Sequence, residues 1–425
     1  MFLVERVEID GFWGHLNLAS DMKEDVNIFI GRNGTGKTAF ISTLQAILTV
    51  DLDLLGSLKF EEARLWLKAP GVKRKISVKK RETNLPYDTV NYRIGQRSYN
   101  LPLLSRESDY RRTKFYSRYV DEINQVREEL LDLVNVSWLS VHREILENEY
   151  PDTRERRILR DRNPVDRRLD ELMRKLLVYQ LQLESQASTL SNEFQKEVLA
   201  CTLYNDEFDT FKVTKEAVDL TAVKEQLLHA YKDLGVLDVA IESQIEKHID
   251  KIGAALTKLK EVLEDDTKKL YANDILPFPL LGRTRHIVDL STGVDKKKRE
   301  LFRPIETYLG ILREFAEDKT FELDPIRAGE LLITKGNRPL NVDQLSSGEK
   351  QLIIFLTETL LQEGKRFIFI ADEPELSLHI EWQKLILSSV IRLNANAQII
   401  VATHSPEIAS GWKKHIINME SITNE

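Results

Sequence analysis

A single cysteine, Cys201, stands among 425 residues, so no disulfide framework holds this chain and a reducing, cytoplasmic setting is expected. A basic excess is also lacking. Lys and Arg number 61 against 68 Asp and Glu, a net charge of −7, so any nucleic-acid site has to be a local patch. No apolar run approaches the ~20 residues that cross a bilayer, so no membrane contact is expected. Glu5, Arg6, Glu8 and Asp10 near the N-terminus do not suit a signal peptide. Repeats and low-complexity tracts are absent. What is present is 42% hydrophobic residues, ample for a core, and 30% charged residues, which signal much exposed helix. The length suggests two or three units.

The strongest local signal lies near the start. Val26-Asn27-Ile28-Phe29 reads as a strand, and the residues from Ile41 to Leu48 have helical spacing. Between them, Gly31, Arg32, Asn33, Gly34, Thr35, Gly36, Lys37 and Thr38 fit G-x-x-x-x-G-K-[ST], a phosphate-binding loop in its required strand–loop–helix setting. The glycines let backbone N–H groups approach phosphate oxygens, and the helix start adds positive partial charge. Lys37 can reach β- and γ-phosphates, and the Thr38 hydroxyl can ligate Mg²⁺.

Residues 1–50 read as strand, strand, loop, helix. "KISVKK", "TVNYRI" and "RSYNL", between Lys73 and Tyr99, alternate as a small antiparallel sheet does. From about 119 to 275 strand signals vanish. Two near-heptad stripes appear there: Leu169, Met173, Leu176, Leu183, Ala187, Leu190, Phe194, and Ile241, Ile245, Ile249, Ile252, Leu256, Leu259, Leu263. They suit either a projecting helical hairpin or amphipathic helices laid on a core. Thr153 to Pro164 reads as a charged linker into this region and Ile275 to Thr284 as the linker out. The expected division is therefore 1–118 and 286–425 as two halves of one α/β core, with 119–285 as an all-α insertion.

"RFIFIADEP" and "AQIIVATHSP" are apolar runs without alternation, as central parallel strands are. The first delivers Asp372, suited to Mg²⁺, and Glu373, suited to act as general base on water. The second ends in His404, placed to donate to a γ-phosphate, with Ser405 and Pro406 forming a helix start. "QLSSGEKQL" contains a capping box, Ser346 with Glu349, around Ser347 and Gly348. It can simply start a helix, or present that start to a phosphate.

"LSSGEKQ" resembles the signature of ABC-type ATPases, and with Gly31–Thr38, Asp372–Glu373, "ELSLH" and His404 every landmark of that family occurs in order. The resemblance covers about residues 1–100 and 299–415. It implies an α/β fold with a mixed parallel sheet, an antiparallel subdomain and a helical or coiled-coil insertion. It also implies ATP and Mg²⁺ as cofactors, ATP hydrolysis, and a head-to-tail homodimer in which the signature of one chain (Ser346, Ser347, Gly348) covers ATP on the loop of the other. "DEPELSLHIEWQ" and "ATHSPEI" are similar to OLD-like and SMC-like soluble ATPases rather than transporter subunits. Chains of that kind serve bacterial antiphage systems such as PARIS, Septu and retron-linked modules, each with a separate nuclease or toxin effector. PARIS is favoured on size and helical insertion. OLD nucleases carry a C-terminal Toprim domain, for which the twenty or so residues after His404 leave no room, so the effector is expected on another chain. Departures exist. No glutamine loop can be placed, His142 or Arg143 being substitutes, and Ser347 stands where many relatives have glycine.

A switch that closes around ATP and controls an effector is the favoured reading. The alternative is a DNA-repair or DNA-tethering ATPase of RecF type, using Lys73, Arg74, Lys75, Lys79, Lys80 and Arg81, or Arg111, Arg112, Lys114 and Arg118 among Tyr110, Phe115 and Tyr116. A stand-alone nuclease is disfavoured because no His/Asp metal cluster is evident outside the nucleotide motifs. Phe12 and Trp13 are candidates to stack on adenine, with core packing the competing role.

Overall fold

Apolar runs buried on both faces have to sit in the middle of a sheet, and the chain builds one of five strands. The computed structural model describes residues 1–84, 87–103, 114–139, 163–205, 218–265, 267, 269, 271–324, 329–376 and 378–424. In chain order the strands are β1 (Leu3–Phe12), β2 (Leu16–Asp21), β3 (Val26–Ile30), β4 (Glu62–Ala69), β5 (Val72–Arg81), β6 (Asp88–Ile94) and β7 (Arg97–Leu103). They continue with β8 (Val136–Leu139), β9 (Thr320–Asp324), β10 (Glu330–Lys335), β11 (Arg338–Leu340), β12 (Phe367–Asp372), β13 (Ala397–Ala402), β14 (Ile416–Asn418) and β15 (Thr423–Asn424). The longer helices are α1 (Lys37–Thr49), α2 (Leu52–Ser57), α3 (Lys114–Leu133), α4 (Pro164–Ala200), α5 (Leu220–Asp233), α6 (Val239–Glu264), α7 (Pro277–Phe315), α8 (Ser347–Leu360) and α9 (Ile380–Leu393).

Two compact units result, Met1–Leu177 with Ile305–Glu425, and Val178–Pro304. In the first, the parallel sheet runs β14-β3-β13-β12-β8. All six residues of β13 are buried, as are Phe367 to Ala371 of β12. Each large apolar side chain so buried contributes about 2 kcal/mol. A second, antiparallel sheet runs β15-β2-β1-β4-β5-β6-β7. Its inner face, with Val7, Ile9, Leu65, Leu67, Ile76, Val78, Val90 and Tyr92, joins Phe40, Ile41, Leu44 and Ile47 of α1 in one core. α1 is thereby fixed between the two sheets, and with it the loop before it. A small sheet, β11-β10-β9, precedes α8.

The expected antiparallel strands are β5, β6 and β7. Residues 1–50 hold three strands rather than two, because β1 and β2 fold back on each other through Trp13 and Gly14, both at positive φ. The reading of residues 119–275 as free of strands is corrected by β8, whose pairing with β12 supplies what four residues cannot show by periodicity. The expected exit linker, Ile275 to Thr284, is instead helical: Ile275 ends a short helix from Ala272, and α7 begins at Pro277. Pro277 and Pro279 lie in its first turn, where an N–H has no intrahelical partner to lose.

The second unit is helical. Leu227 of α5, Ile245 and Ile249 of α6 and Val288 of α7 form its apolar cluster. Of the second stripe, Ile245, Ile249, Ile252 and Leu259 are buried, whereas Leu263 is 63% exposed at the end of α6. In the first stripe Leu169, Leu176, Leu183, Ala187 and Phe194 are buried, with Leu172 and Tyr179 beside them. The linker Thr153 to Pro164 falls, but for Asn163 and for Pro164 at the start of α4, outside the described residues.

Candidate functional site

The loop between β3 and α1 is shaped by its glycines. Gly34 and Gly36 have φ of 82° and 89°, a region that side chains avoid. Gly36 is also the N-cap of α1, and a Cβ there would lie 2.7 Å from Phe12 Cε1. Thr35 closes the loop by donating its hydroxyl to the Arg32 carbonyl at 2.9 Å, while Arg32, Asn33 and Gly34 are exposed. Gly31 ends β3. The first N–H groups of α1 point into this loop without intrahelical partners, as at every helix start.

Lys37 is buried and turns back over the loop, its ammonium donating to the carbonyls of Gly31 at 2.9 Å and Arg32 at 3.1 Å. Burial pulls its pKa below the ordinary lysine value, against the opposing charges of Glu373, Asp372 and Glu375. Across the parallel sheet, β12 ends beside the loop. Thr38 Oγ1 donates to Asp372 Oδ1 at 3.3 Å. Burial pushes the Asp372 carboxyl up from its ordinary value, with Glu373 and Glu375 adding to the effect and Thr38 and Lys37 opposing it. Hard oxygen donors in an acidic surrounding fit Mg²⁺, with Thr38 and Asp372 as the residues able to hold it.

Glu373 has φ of 49°, a left-handed conformation held by its N–H, which donates to the Ala402 carbonyl at 2.8 Å. This kink at the end of β12 presents its carboxylate 3.6 Å from His404 Nε2, both side chains partly exposed. Strained non-glycine backbone of this kind costs about 1–3 kcal/mol and is maintained only where the surroundings over-determine it. The fold thus brings Lys37, Thr38, Asp372, Glu373 and His404 to one edge of the sheet.

Ser346, Ser347 and Gly348 stand at the start of α8. Ser346 caps α8, accepting from Glu349 N–H at 3.3 Å while its own N–H donates to Glu349 Oε2 at 2.8 Å. Lys319 braces the same Glu349. Among the described residues no hydrogen bond or ion pair joins this helix start to residues 31–38. Deeper along α8, Lys350 pairs with Asp166 of α4 at 2.8 Å, and the buried Glu358 pairs with Arg168 of α4 at 2.6 Å and accepts from Ser137 of β8. Thr357 shares a hydrogen bond with Tyr308 of α7 at 2.8 Å.

Phe12 and Trp13 divide their candidate roles. Phe12 is buried beneath Gly36, and Trp13 lies parallel to it, centroids 5.8 Å apart, with 38% of its surface exposed beside the loop. The basic residues of β5 do not form one free stripe. Lys73 pairs with Glu5 at 2.8 Å and Lys75 lies over the Trp66 ring. Lys80 turns toward the carbonyls of Gly56 and Leu58, and Arg74, Lys79 and Arg81 are exposed. His142, Arg143, Tyr110, Arg111 and Arg112 lie outside the described residues, as do the side chains of Lys114, Phe115, Tyr116 and Arg118. The expectation of no other His/Asp cluster is corrected by His229, Asp233 and Asp295 in the second unit. There the His229 Nδ1 lies 3.1 and 3.4 Å from the two carboxylates, a histidine shared between two acids. Sequence reasoning also missed Glu375, whose carboxylate accepts from Thr403, His404 and Ser405.

The AAA ATPase domain family matches residues 1–409. The curated "Retron Ec83 probable ATPase" of Escherichia coli is 33% identical over 105 residues, 22% of this chain and 18% of that relative's length. Among solved structures, an Smc head domain with an extended coiled coil, bound to the C-terminal domain of ScpA and derived from Pyrococcus furiosus, is 14% identical. It covers 98% of this chain and 93% of its own, with a TM-score of 0.43. The recombination mediator protein RecF is 13% identical over 96% of this chain and 94% of its own, TM-score 0.35. No helix among the described residues is long and apolar enough to cross a membrane. The chain belongs to the AAA ATPase domain family and is a P-loop ATPase.

Proposed function

We propose that this chain is the ATP-driven switch of an antiphage system. In this reading it closes head to tail with a second copy around ATP and so holds or releases a separate nuclease or toxin effector. The observation that supports it most is the half-site. Lys37, Thr38, Asp372, Glu373 and His404 share one sheet edge, whereas the Ser346–Gly348 helix start has no bond to them. A second chain is the natural source of the missing donors.

In the proposed cycle Lys37 exchanges the carbonyls of Gly31 and Arg32 for β- and γ-phosphate oxygens. Glu373 accepts a proton from the attacking water, and His404 donates to the γ-phosphate. Mg²⁺ held by Thr38 and Asp372 supplies charge neutralisation across the phosphates when bound. Trp13, exposed beside the loop, is the side chain available to stack on adenine. The bonds of α8 to Asp166, Arg168 and Tyr308 give a shift of the signature helix a direct route into the start of α4 and the end of α7. The partial similarity to a retron ATPase supports a defence setting. Within it we favour the PARIS subunit, then Septu, on chain size and helical insertion.

The test uses Glu373→Gln, which retains the phosphate cradle while removing the base. With Mg²⁺-ATP this variant should shift from monomer to dimer in mass photometry, and with Mg²⁺-ADP it should stay monomeric. A mass that ignores the nucleotide would overturn the switch.

A further inference from the structure

We propose that Glu375 is a positioning residue for ATP hydrolysis, setting the loop that aims His404 at the phosphate. This inference rests on the role given to His404 above.

The chain leaves β13 at Ala402 and re-enters a helix only at Pro406, one turn long and capped by Ser405. The three residues between have no ladder to satisfy them. Thr403 N–H donates back to the Phe29 carbonyl of β3 at 3.1 Å. The remaining donors converge on one atom: Glu375 Oε1 accepts from Thr403 Oγ1 at 2.7 Å, from His404 N–H at 2.7 Å and from Ser405 N–H at 3.1 Å. A carboxylate with three donors on a single oxygen is a strong, charge-assisted anchor. Its other oxygen, Oε2, is buried with no partner, so the side chain has not been recruited for general solvation.

A second tie locks the same loop. Ser405 Oγ donates to Gln383 Oε1 at 2.7 Å, and Gln383 Nε2 donates to the Leu378 carbonyl at 3.0 Å. The turn after Pro374 and the turn carrying His404 are therefore one assembly. Glu373 N–H on Ala402 completes it, and the 3.6 Å approach of His404 to Glu373 is the product. Loss of the Glu375 anchor frees the backbone of His404 itself, so the imidazole loses its aim, while the phosphate loop, to which Glu375 makes no hydrogen bond among the described residues, keeps its backbone shape.

The experiment is a double-mutant cycle on steady-state Mg²⁺-ATP turnover by the full chain. Glu375→Ala should lower kcat by about 100-fold, the scale of an ångström-sized misplacement, with KM within about threefold. Glu375→Gln should recover part of the rate, at least about fivefold over the Ala variant, because its amide oxygen can still accept from the loop although the charge is lost. His404→Ala should be slow, and the double variant His404→Ala with Glu375→Ala should be no slower than His404→Ala alone. Multiplying losses, or a Gln variant as slow as Ala, would overturn the proposal. A His404→Ala enzyme at full rate would instead refute the reading of His404, whatever Glu375 does. Should Glu375→Ala fail to fold, Thr403→Val removes one donor and takes its place in the cycle. It should lower kcat by at least about tenfold, scaled to one lost hydrogen bond to a charged group, and lose that effect in the His404→Ala background. A Thr403→Val loss undiminished there would count against the anchor.

Discussion

Replacing Gly36 by alanine tests whether the loop shape and the packing beneath it are one feature. The residue sits at φ 89° and ψ 13°, where a Cβ costs about 1–2 kcal/mol. The new methyl would also meet Phe12 Cε1 at 2.7 Å and Cζ at 2.9 Å. Phe12 is buried and cannot swing into solvent, so overpacking adds about 1–3 kcal/mol. Gly34 provides the control. Its φ is 82°, but nothing lies within 4 Å of a Cβ there, so Gly34→Ala should carry the backbone cost alone. The two variants should differ by about 1–3 kcal/mol, which at about 1–2 °C per kcal/mol for a chain of this size separates their melting points by roughly 1–5 °C. Thermal unfolding without nucleotide is the assay, so that binding does not enter. Equal melting points would show that Phe12 does not brace the loop and refute the reasoning.

Glu373→Gln should hydrolyse ATP at least about 100-fold more slowly than wild type, the scale of a lost general base, in a phosphate-release assay; near-normal turnover would move the base elsewhere. Asp372 has a pKa raised by burial, so its ionised form is lost at higher pH than for an exposed aspartate as pH falls. The acid limb of the rate profile should therefore begin early and move to lower pH as Mg²⁺ is raised; a limb indifferent to Mg²⁺ would separate Asp372 from the metal. Glu358→Ala takes the buried acceptor from Arg168 and Ser137, leaving Arg168 only Glu171, and should destabilise the protein by about 1–3 kcal/mol, read by calorimetry, whereas replacing Arg168 and Glu358 by Met and Leu should recover most of it.

The site was legible where its chemistry is local. Gly31–Thr38 and Asp372–Glu373 are short segments whose spacing already carries the function, and the unbroken apolar runs before them announced β3, β12 and β13. What escaped notice depends on distant partners. β8 is defined only by its pairing with β12, more than two hundred residues on. Glu375 entered only as the first residue of "ELSLH", with no partner assigned, because its three donors lie 28 to 30 residues away. The proline pair at 277 and 279 resembled a linker, since prolines that end helices also begin them.

The central claim, a composite site completed by a second chain, is tested most directly by complementation. Lys37→Ala removes the phosphate cation and Ser346→Arg blocks the signature, so each variant alone should be inactive. In their heterodimer one site carries both lesions and the other neither. The heterodimer is therefore predicted to regain up to about half the wild-type ATP turnover per dimer, the one intact site in two. A mixture as inactive as either variant, although mass photometry shows the heterodimer forming, would contradict a signature acting across the interface.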